Sequence, residues 1–508
     1  MIGAVLAALL LADGPGYDAL VAEGIAAGKA GRLAEARALF DRAASLDPTR
    51  PEALVERGGV RFLESSYDAA VVDLRAALRR KEDEYARDLL ASALHLAGRP
   101  DDALAEWNRL GRPTLRSLTI LGLEKTRDPV ARRELTIREG EPLRLGDVRR
   151  SRLQLRETGA FDRTTLRTIP LAAGQADVEV ALVERHGFAR GWLDLAIASG
   201  VAAAQGRAPL RYANLGGHGI GVGAEYRWQE NRPQAWAGID WPRPFALGAY
   251  LRAEGFRGRQ LYDVGGESLA HRRGFGLGLR RVLAPATVGE LGFRFVTRRF
   301  DPNGAGAEDG RVSGLQARLA QRLVERQRFR LDAGVAVFGA ARSLGSDFEF
   351  ARGTARLAAA LDLSPPDGSA IERSTLAAQI SAGASGDATP FDEAFAVGAS
   401  PQMEWPLRGH RQAEDGVLGL TPIARHLLLG NLEWRRRVVD SSPFQAGIVL
   451  FYDVAALKQV YEGSAKALHD IGFGLRVGFP GASVLRLDYG HGLSDGRKTV
   501  SVGLGHAF

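Results

Sequence analysis

Two strand-like segments near the carboxyl end of the chain carry charged side chains in alternation with apolar ones. In GNLEWRRRV Glu433 and Arg435 share one face, and in VLFYDVA Phe451 and Asp453 do the same. Residues two apart on a strand point to the same side. An acidic group enclosed there needs a cation, and a guanidinium binds a carboxylate through two hydrogen bonds. We therefore expect Glu433 and Asp453 to face an enclosed, charged interior.

The sequence carries none of the motifs that would indicate catalysis. It contains no HExxH, no Walker loop and no GxSxG, and its nine histidines lack the spacing of metal ligands. It has no cysteine, which excludes disulfides, thiolate metal sites and a cysteine nucleophile. The cluster GGHGIGVG lies in a strand-like segment and fits a crowded interior better than a nucleotide loop. We predict a protein that is not an enzyme, with no metal, no cofactor and no nucleic-acid partner.

The region 188–508 is predicted to form a β-barrel. It shows no convincing helix and many segments of about 10 residues in which apolar and polar side chains alternate. A soluble sandwich and an outer-membrane barrel both produce this alternation. At about 20 residues for each strand and its connection, the region holds about 16 strands, within the range of membrane barrels. We expect a transmembrane antiparallel barrel whose last strand runs to Phe508.

The amino-terminal part is predicted to be helical. The apolar run Ile2–Ala12 is too short to span a membrane and fits the core of a signal peptide, which we place at residues 1–12. Residues 17–112 repeat small and large apolar residues at spacings of 34 and 33, as tetratricopeptide (TPR) helices do. The repeated pairs are Ala36 with Phe40, Ala70 with Leu74, and Ala103 with Trp107. Such an array binds a peptide or protein partner, or serves only as a spacer.

A third region, residues 115–186, has the predicted order strand, helix, helix, strand, strand. Its segments IREGEPLRLGDVRRSRLQLRETGAFDRTTLRTIPL and VEVALVERHGF resemble the POTRA domain of outer-membrane assembly and secretion proteins. The resemblance implies an α+β domain that offers a sheet edge to client strands. A rigid adaptor between the helices and the barrel is the alternative.

The segment PLRGH, followed by GNLEWRRRV and VLFYDVA, resembles the BamA, TamA and FhaC superfamily in order and spacing. The resemblance implies a loop that folds back into the barrel, where Arg408 binds Asp453 and Gly409 lets the backbone pass close to the wall. It also implies that Glu433, Arg435 and Phe451 face the lumen.

Other positions bear on the same resemblance. The terminal Phe508 resembles the signal read by outer-membrane assembly machinery. Leu407, His410 and Ala455 depart from the superfamily pattern, and His410 stands at the loop tip where the superfamily has an aromatic residue.

The resemblance implies a bacterial outer-membrane protein that inserts or secretes client proteins, with its amino-terminal domains in the periplasm. Its expected partners are a client protein at the POTRA edge, a protein or peptide on the TPR surface, and the lipid bilayer. The alternative is an export pore for exopolysaccharide or small solutes. A soluble β-rich binding protein is a third hypothesis. The sequence does not separate insertion from secretion.

Overall fold

The computed structural model describes residues 16–185, 191–301, 307–364, 373–400, 402–419, 422–441, 444–460, 465–478 and 484–507. The predicted signal peptide, residues 1–12, and Phe508 lie outside these ranges. The chain forms two compact units. One comprises Met1–Leu121, Leu135–Arg152 and Thr164–Leu182, and the other Gly122–Glu134, Leu153–Arg163 and Val183–Phe508.

The first unit begins with helices in which one contact recurs. They are α1 (Tyr17–Lys29), α2 (Leu33–Leu46), α3 (Glu52–Leu63), α4 (Tyr67–Arg80), α5 (Glu84–Leu96) and α6 (Pro100–Arg109). A Cβ atom on Gly24 would lie 2.6 Å from Phe40 Cε1, and one on Gly58 would lie 2.8 Å from Leu74 Cγ. The large side chain of one helix thus occupies the space beside a glycine of the helix before it, at the same place in two successive helix pairs.

A small sheet follows the helices. The elements are β1 (Thr114–Leu121), α7 (Asp128–Arg132), α8 (Leu145–Glu157), β2 (Phe161–Pro170) and β3 (Gln175–Glu184). The strand order is β1–β3–β2, with β1 parallel to β3. The succession of strand, helix, helix, strand, strand agrees with the sequence prediction. At the end of β3, the buried Glu184 carboxylate accepts hydrogen bonds from three consecutive backbone N–H groups, those of Glu124, Lys125 and Thr126, at 3.1, 3.0 and 2.7 Å.

The second unit is built on a 16-stranded sheet. Its strands are β4 (Arg207–Leu215), β5 (Ile220–Arg227), β6 (Gln234–Pro242), β7 (Tyr250–Asp263), β8 (Glu267–Ala284), β9 (Thr287–Asp301), β10 (Gly310–Glu325), β11 (Phe329–Ala340), β12 (Phe350–Asp362), β13 (Ser374–Ser385), β14 (Phe395–Ala396), β15 (Ile423–Ser441), β16 (Phe444–Gln459), β17 (Ala465–Gly478), β18 (Leu485–Gly492) and β19 (Lys498–Leu504). From β4 to β19 each strand pairs antiparallel with the next one in sequence, with one exception: β13 pairs with β15. The short β14 lies off this path and pairs only with β15 among the described strands.

The sequence predicted no helix in the region 188–508, and this prediction is wrong at the start of the region. Helix α9 (Trp192–Gln205) precedes β4. Its run of alanines favours a helix, and Gly206 ends it in the left-handed conformation at φ 60°. The Gln205 side chain donates a 2.8 Å hydrogen bond to the carbonyl of Val502 on β19.

The last strand is also shorter than expected. Strand β19 ends at Leu504 instead of continuing to Phe508. The reason is Gly505, whose φ of 79° leaves the extended region and whose N–H donates to the carbonyl of Val484 at 2.7 Å. Phe508 itself lies outside the described residues.

The two faces of the sheet differ in chemistry. On β15, Leu432 is 45 % exposed, whereas its neighbour Glu433 is fully buried. On β16, Leu450 is 51 % exposed and Asp453 is fully buried. The exposed face is apolar along many strands, through Phe275, Leu277, Leu279, Leu291, Leu315, Val335, Val337, Ile380, Leu428, Ile471, Phe473, Leu475 and Val500. The opposite face, here called the inner face, carries the buried charges, as the alternation predicted.

Candidate functional site

The site lies where the loop between β13 and β15 meets the inner face. This segment, residues 386–422, is here called the β13–β15 loop. It contacts β8 and β9 through Glu393, and β16 and β17 through Arg408 and Gly409. Because one loop contacts strands so far apart in the order, the sheet curves around it.

The Arg408 side chain of the loop is fully enclosed. Its Nε and Nη2 donate to the two carboxylate oxygens of Asp453, at 2.8 and 2.7 Å, and its backbone N–H donates to the same group at 3.1 Å. Its Nη1 donates to the Glu433 carboxylate. The guanidinium lies over the ring of Phe451, 3.6 Å from the ring centre. Two carboxylates and one ring thus enclose a guanidinium that has no exposed side-chain surface.

Pairing across strands brings these acids together. Asn431 on β15 lies opposite Asp453 on β16, and Asp453 lies opposite Asp470 on β17. The Asn431 amide donates to Asp453 Oδ1 and to the Pro406 carbonyl, both at 2.7 Å. The Asn431 side chain on β15 therefore binds both the loop backbone and the carboxylate that holds Arg408. Arg435 donates to the remaining oxygen of Glu433 at 2.6 Å, so Glu433 also has a cation on each side.

Gly409 lets the loop backbone reach the wall. Its N–H donates to Asp470 Oδ2 at 2.5 Å, and its carbonyl accepts from the Thr499 hydroxyl at 2.9 Å. A Cβ atom at this position would lie 2.7 Å from both the Asp470 carboxyl carbon and the Gly492 nitrogen. Gly492 N is a backbone atom and the Asp470 side chain is fully buried, so a larger residue at position 409 would displace the loop.

His410, which departs from the superfamily pattern, has a defined place. Its Nδ1 lies 3.2 Å from Asp470 Oδ2 and its Nε2 lies 2.9 Å from Asp495 Oδ2. The side chain is almost fully buried. The imidazole thus lies between two carboxylates, and polar contacts replace the packing of an aromatic ring at the loop tip.

A second contact between loop and wall was not predicted. Asp392 and Glu393 form a single turn of the loop and are buried against arginines of the inner face. Glu393 Oε1 accepts from Arg272 at 2.7 Å and from Arg294 at 2.5 Å, and Asp392 pairs with Arg298. The partners are 94 to 121 residues apart in sequence. In the sequence, only the adjacent acids of PFDEAF pointed to this contact, and no local pattern indicated which arginines they would pair with.

The structure brings together six of the predicted site residues: Arg408, Gly409, Asp453, Glu433, Arg435 and Phe451. The seventh, Phe508, lies outside the described residues. Within the described ranges no group of three or more potential ligands could hold a metal ion. No helix in that part of the chain is both long and apolar enough to cross a membrane.

The fold and the site define a class of protein: a 16-stranded antiparallel sheet that curves around a loop folded onto its inner face. No protein-family model and no curated protein matches the sequence. Among solved structures, CdiB from Escherichia coli is similar, with a TM-score of 0.55 and 13% identity over 77% of this chain and 75% of that chain.

CdiB from Acinetobacter baumannii is similar with a TM-score of 0.52 and 11% identity, over 77% of this chain and 73% of that one. BamA from Haemophilus ducreyi, lacking POTRA domains 1–3, gives a TM-score of 0.46 and 13% identity over 77% and 84% of the two chains. The likeness to the two CdiB structures shows that the chain shares their barrel fold.

Proposed function

We propose that this protein is an outer-membrane barrel that inserts client proteins into the outer membrane or secretes them across it, without enzymatic activity. Apolar side chains cover the outward face of the barrel strands, including Leu291 at 69 % exposure and Phe473 at 60 %. Exposed apolar surface of this extent would promote aggregation in water and suits lipid. The shared fold with CdiB, and the sequence resemblance to the BamA, TamA and FhaC superfamily, agree with this location.

The contact between Arg408 and the acids of β15 and β16 is the observation that carries the proposal. A structural loop could be held by apolar packing alone. Here a fully buried arginine meets two buried carboxylates, Glu433 and Asp453. Such a pair contributes little net stability but is costly to break halfway, so it favours two discrete states of the loop. A loop with a docked and a released state suits a barrel that must admit a client.

The amino-terminal regions are proposed to be periplasmic and to bind proteins. In the sheet β1–β3–β2, β2 stands at one edge, where a client strand could pair. We propose that residues 17–112 form the TPR array and that residues 115–186 form a single POTRA domain. The first unit also holds a cavity of about 460 Å³, lined by side chains of α3, α5 and α6 and by residues near the β2–β3 turn. Its lining mixes apolar and charged groups, among them Trp107, Leu171, His95 and Asp88, as a peptide site does.

A passive pore for exopolysaccharide or small solutes is less well supported. The β13–β15 loop occupies the inner face through buried ion pairs at two places, whereas a pore for solutes benefits from an open lumen.

The test uses the full chain in a Gram-negative host. The protein should fractionate with the outer membrane and should migrate differently on gels before and after heating, as folded barrels do. Co-expression with a large secreted protein encoded beside the gene tests secretion, and a urea-unfolded outer-membrane barrel added to proteoliposomes tests insertion. If neither client gains protease protection, surface display or release, protein transport is wrong. A soluble, unheated monomer would also disprove the membrane location.

A further inference from the structure

The four arginines that hold the acidic turn of the loop carry more charge than the loop neutralises. Arg272 lies on β8, Arg294 and Arg298 on β9, and Arg352 on β12; together they are here called the arginine face. Their ion pairs in the described part of the chain go only to Asp392 and Glu393 of the loop. Four cations thus face two carboxylates, and the set keeps an excess of positive charge.

The arginine face also has contacts outside the loop. The ring of Phe338 on β11 lies under two of the guanidiniums, at 5.2 Å from Arg294 and 5.7 Å from Arg352. The ring of Phe348 lies 4.2 Å from the guanidinium of Arg298. Three of the four arginines thus have cation–π contacts outside the β13–β15 loop, and Arg272 lies 3.4 Å from the Tyr262 hydroxyl on β7. These contacts would remain if the loop left, and the arginines would then have no loop carboxylate opposite them.

The loop residues that contact the arginine face indicate which chemical groups it binds. Phe391 packs edge-to-face against Tyr262 on β7, with 5.1 Å between ring centres. The next two residues, Asp392 and Glu393, present their carboxylates to the arginines. Arg352 adds a hydrogen bond from Nη1 to the backbone carbonyl of Glu393 at 2.7 Å. The surface therefore binds two adjacent carboxylates, a neighbouring aromatic ring and a backbone carbonyl.

The opposite part of the inner face has a different charge pattern. Strands β15 to β17 present the buried carboxylates Glu433, Asp453 and Asp470, which meet Arg408 and Gly409 of the loop. If the loop leaves, Asp453 loses Arg408 and Asp470 loses Gly409 N–H and His410, and these two acids lie opposite each other across β16 and β17, so an acidic segment would be repelled there. The arginine face is thus a part of the inner face that suits an acidic ligand, whereas the region around Asp453 and Asp470 does not.

We propose that the arginine face binds an acidic, aromatic-containing segment of the client protein, and that Asp392 and Glu393 occupy this site until the loop is displaced. The inference rests on the proposed transport function and names a property of its substrate. The loop then acts as an internal competitor: the client segment replaces the same carboxylates on the same four cations. Binding involves no covalent change, only exchange of one acidic turn for another.

The experiment measures binding of a fluorescent peptide to the purified full chain in detergent. The peptide PFDEAF copies Pro390–Phe395, and PFNQAF is its neutral control. In the wild type the loop blocks the site. The variant D392N/E393Q should free it and bind PFDEAF about tenfold more tightly than the wild type does, a change of about 1.4 kcal/mol. PFNQAF should show no gain, and binding should weaken at high salt.

Two further variants make the result specific. Adding R294Q and R352Q to D392N/E393Q should abolish the gain. The double change E325Q/D332N removes two acids that pair with Arg322 outside the arginine face and should leave peptide binding at the wild-type level. The heat-dependent gel shift checks that each barrel is folded.

If D392N/E393Q does not fold, the single change E393Q, which keeps Asp392 on Arg298, serves in its place. Equal binding of the acidic and neutral peptides, or full binding after loss of the arginines, would disprove the proposal. Because the assay uses no client and no membrane, its failure leaves protein transport untouched. Conversely, loss of the transport function would not alter this measurement.

Discussion

Arg408 and Asp453 meet at three points, since the backbone N–H, Nε and Nη2 of the arginine all donate to the one carboxylate. Both side chains are buried, so neither charge can turn to bulk water. Replacing Arg408 leaves Asp453 without its cation, and replacing Asp453 leaves Arg408 with Glu433 as its one carboxylate, so each change should cost loop docking about 3–5 kcal/mol. The strands themselves are unchanged by the loss.

We therefore expect R408A and D453A each to impair client insertion or secretion while the barrel still reaches the outer membrane. The double variant should be no worse than the worse single variant, because both act through one contact. Client transport and membrane levels of the barrel, measured together, check this. Additive losses, or full activity in R408A, would show that the contact does not serve transport.

The substitution R408K should restore only part of the function. A lysine ammonium can reach one oxygen, but it cannot bind both oxygens of Asp453 and also Glu433. A single cysteine introduced at Ala413 reports loop position by its rate of maleimide labelling, because the chain has no other cysteine. Labelling in R408K/A413C should be faster than in A413C and slower than in R408A/A413C. Labelling as slow as in A413C alone would mean that charge without bidentate geometry is sufficient.

A methyl group at Gly409 should displace the loop. Its Cβ atom would lie 2.7 Å from Gly492 N and from the Asp470 carboxyl carbon. We expect G409A to raise the ion conductance of the barrel in planar bilayers and to speed labelling of A413C. The matched control is G339A on β11, where a Cβ atom would have no neighbour within 4 Å. Wild-type conductance in G409A, or an equal rise in G339A, would contradict the close approach.

The variant H410F tests whether the imidazole acts through its two carboxylates. Phenylalanine cannot donate to Asp470 or Asp495, so loop docking should lose about 1–3 kcal/mol. The added change D495N should recover part of this loss, since it removes one of the two carboxylates that face the ring at position 410. Labelling of A413C measures both effects. Docking of H410F as firm as that of the wild type would mean that ring packing alone holds the loop tip.

In the first unit, Asp101 of α6 should link α6 to α8. Burial raises the pKa of Asp101, but hydrogen bonds from Arg152 and Arg149 outweigh it and hold the pKa below the usual 3.8. The ionised Asp101 carboxylate thus stabilises the folded protein fully above pH 3.8. This stabilisation is lost as the pH falls through the lower pKa that Asp101 has in the folded protein. At neutral pH, D101N should speed hydrogen exchange in both helices.

The control for D101N is D102N, which changes an acid that pairs only with Arg99 in the described chain, three residues away. It should leave exchange in α8 unchanged. The effect of D101N should shrink as the pH falls below 3.8, because the wild type then loses the same charge. A pH-independent effect would indicate a packing role for Asp101 instead of an ionic one.

The sequence predicted the parts of the site that follow a local period or a short motif. Alternation assigned Glu433 and Asp453 to the inner face, because the side-chain period of a strand is two. The resemblance to known barrels supplied Arg408 as the partner of Asp453, but not its second contact, with Glu433. It could not supply the role of His410, which departs from the shared pattern and is set by Asp470 and Asp495 on other elements.

The remaining features depend on contacts between distant segments. Glu393 meets Arg272 across 121 residues and Arg294 across 99, and no local pattern encodes such pairs. Helix α9 was missed because its apolar, alanine-rich sequence lies among strand-forming segments and has no strong helical period. The helix forms because its alanines have high helix propensity and Gly206 ends it.

The two contacts of the β13–β15 loop carry opposite signs. At one, loop acids meet arginines of β8, β9 and β12, and at the other, Arg408 meets acids of β15 and β16. A loop inserted the other way round would place Glu393 against Asp453 and Arg408 against Arg294, like charge on like charge. The charges that hold the loop therefore also give it a direction, and a barrel that loses and regains its loop has only one electrostatically permitted way to take it back.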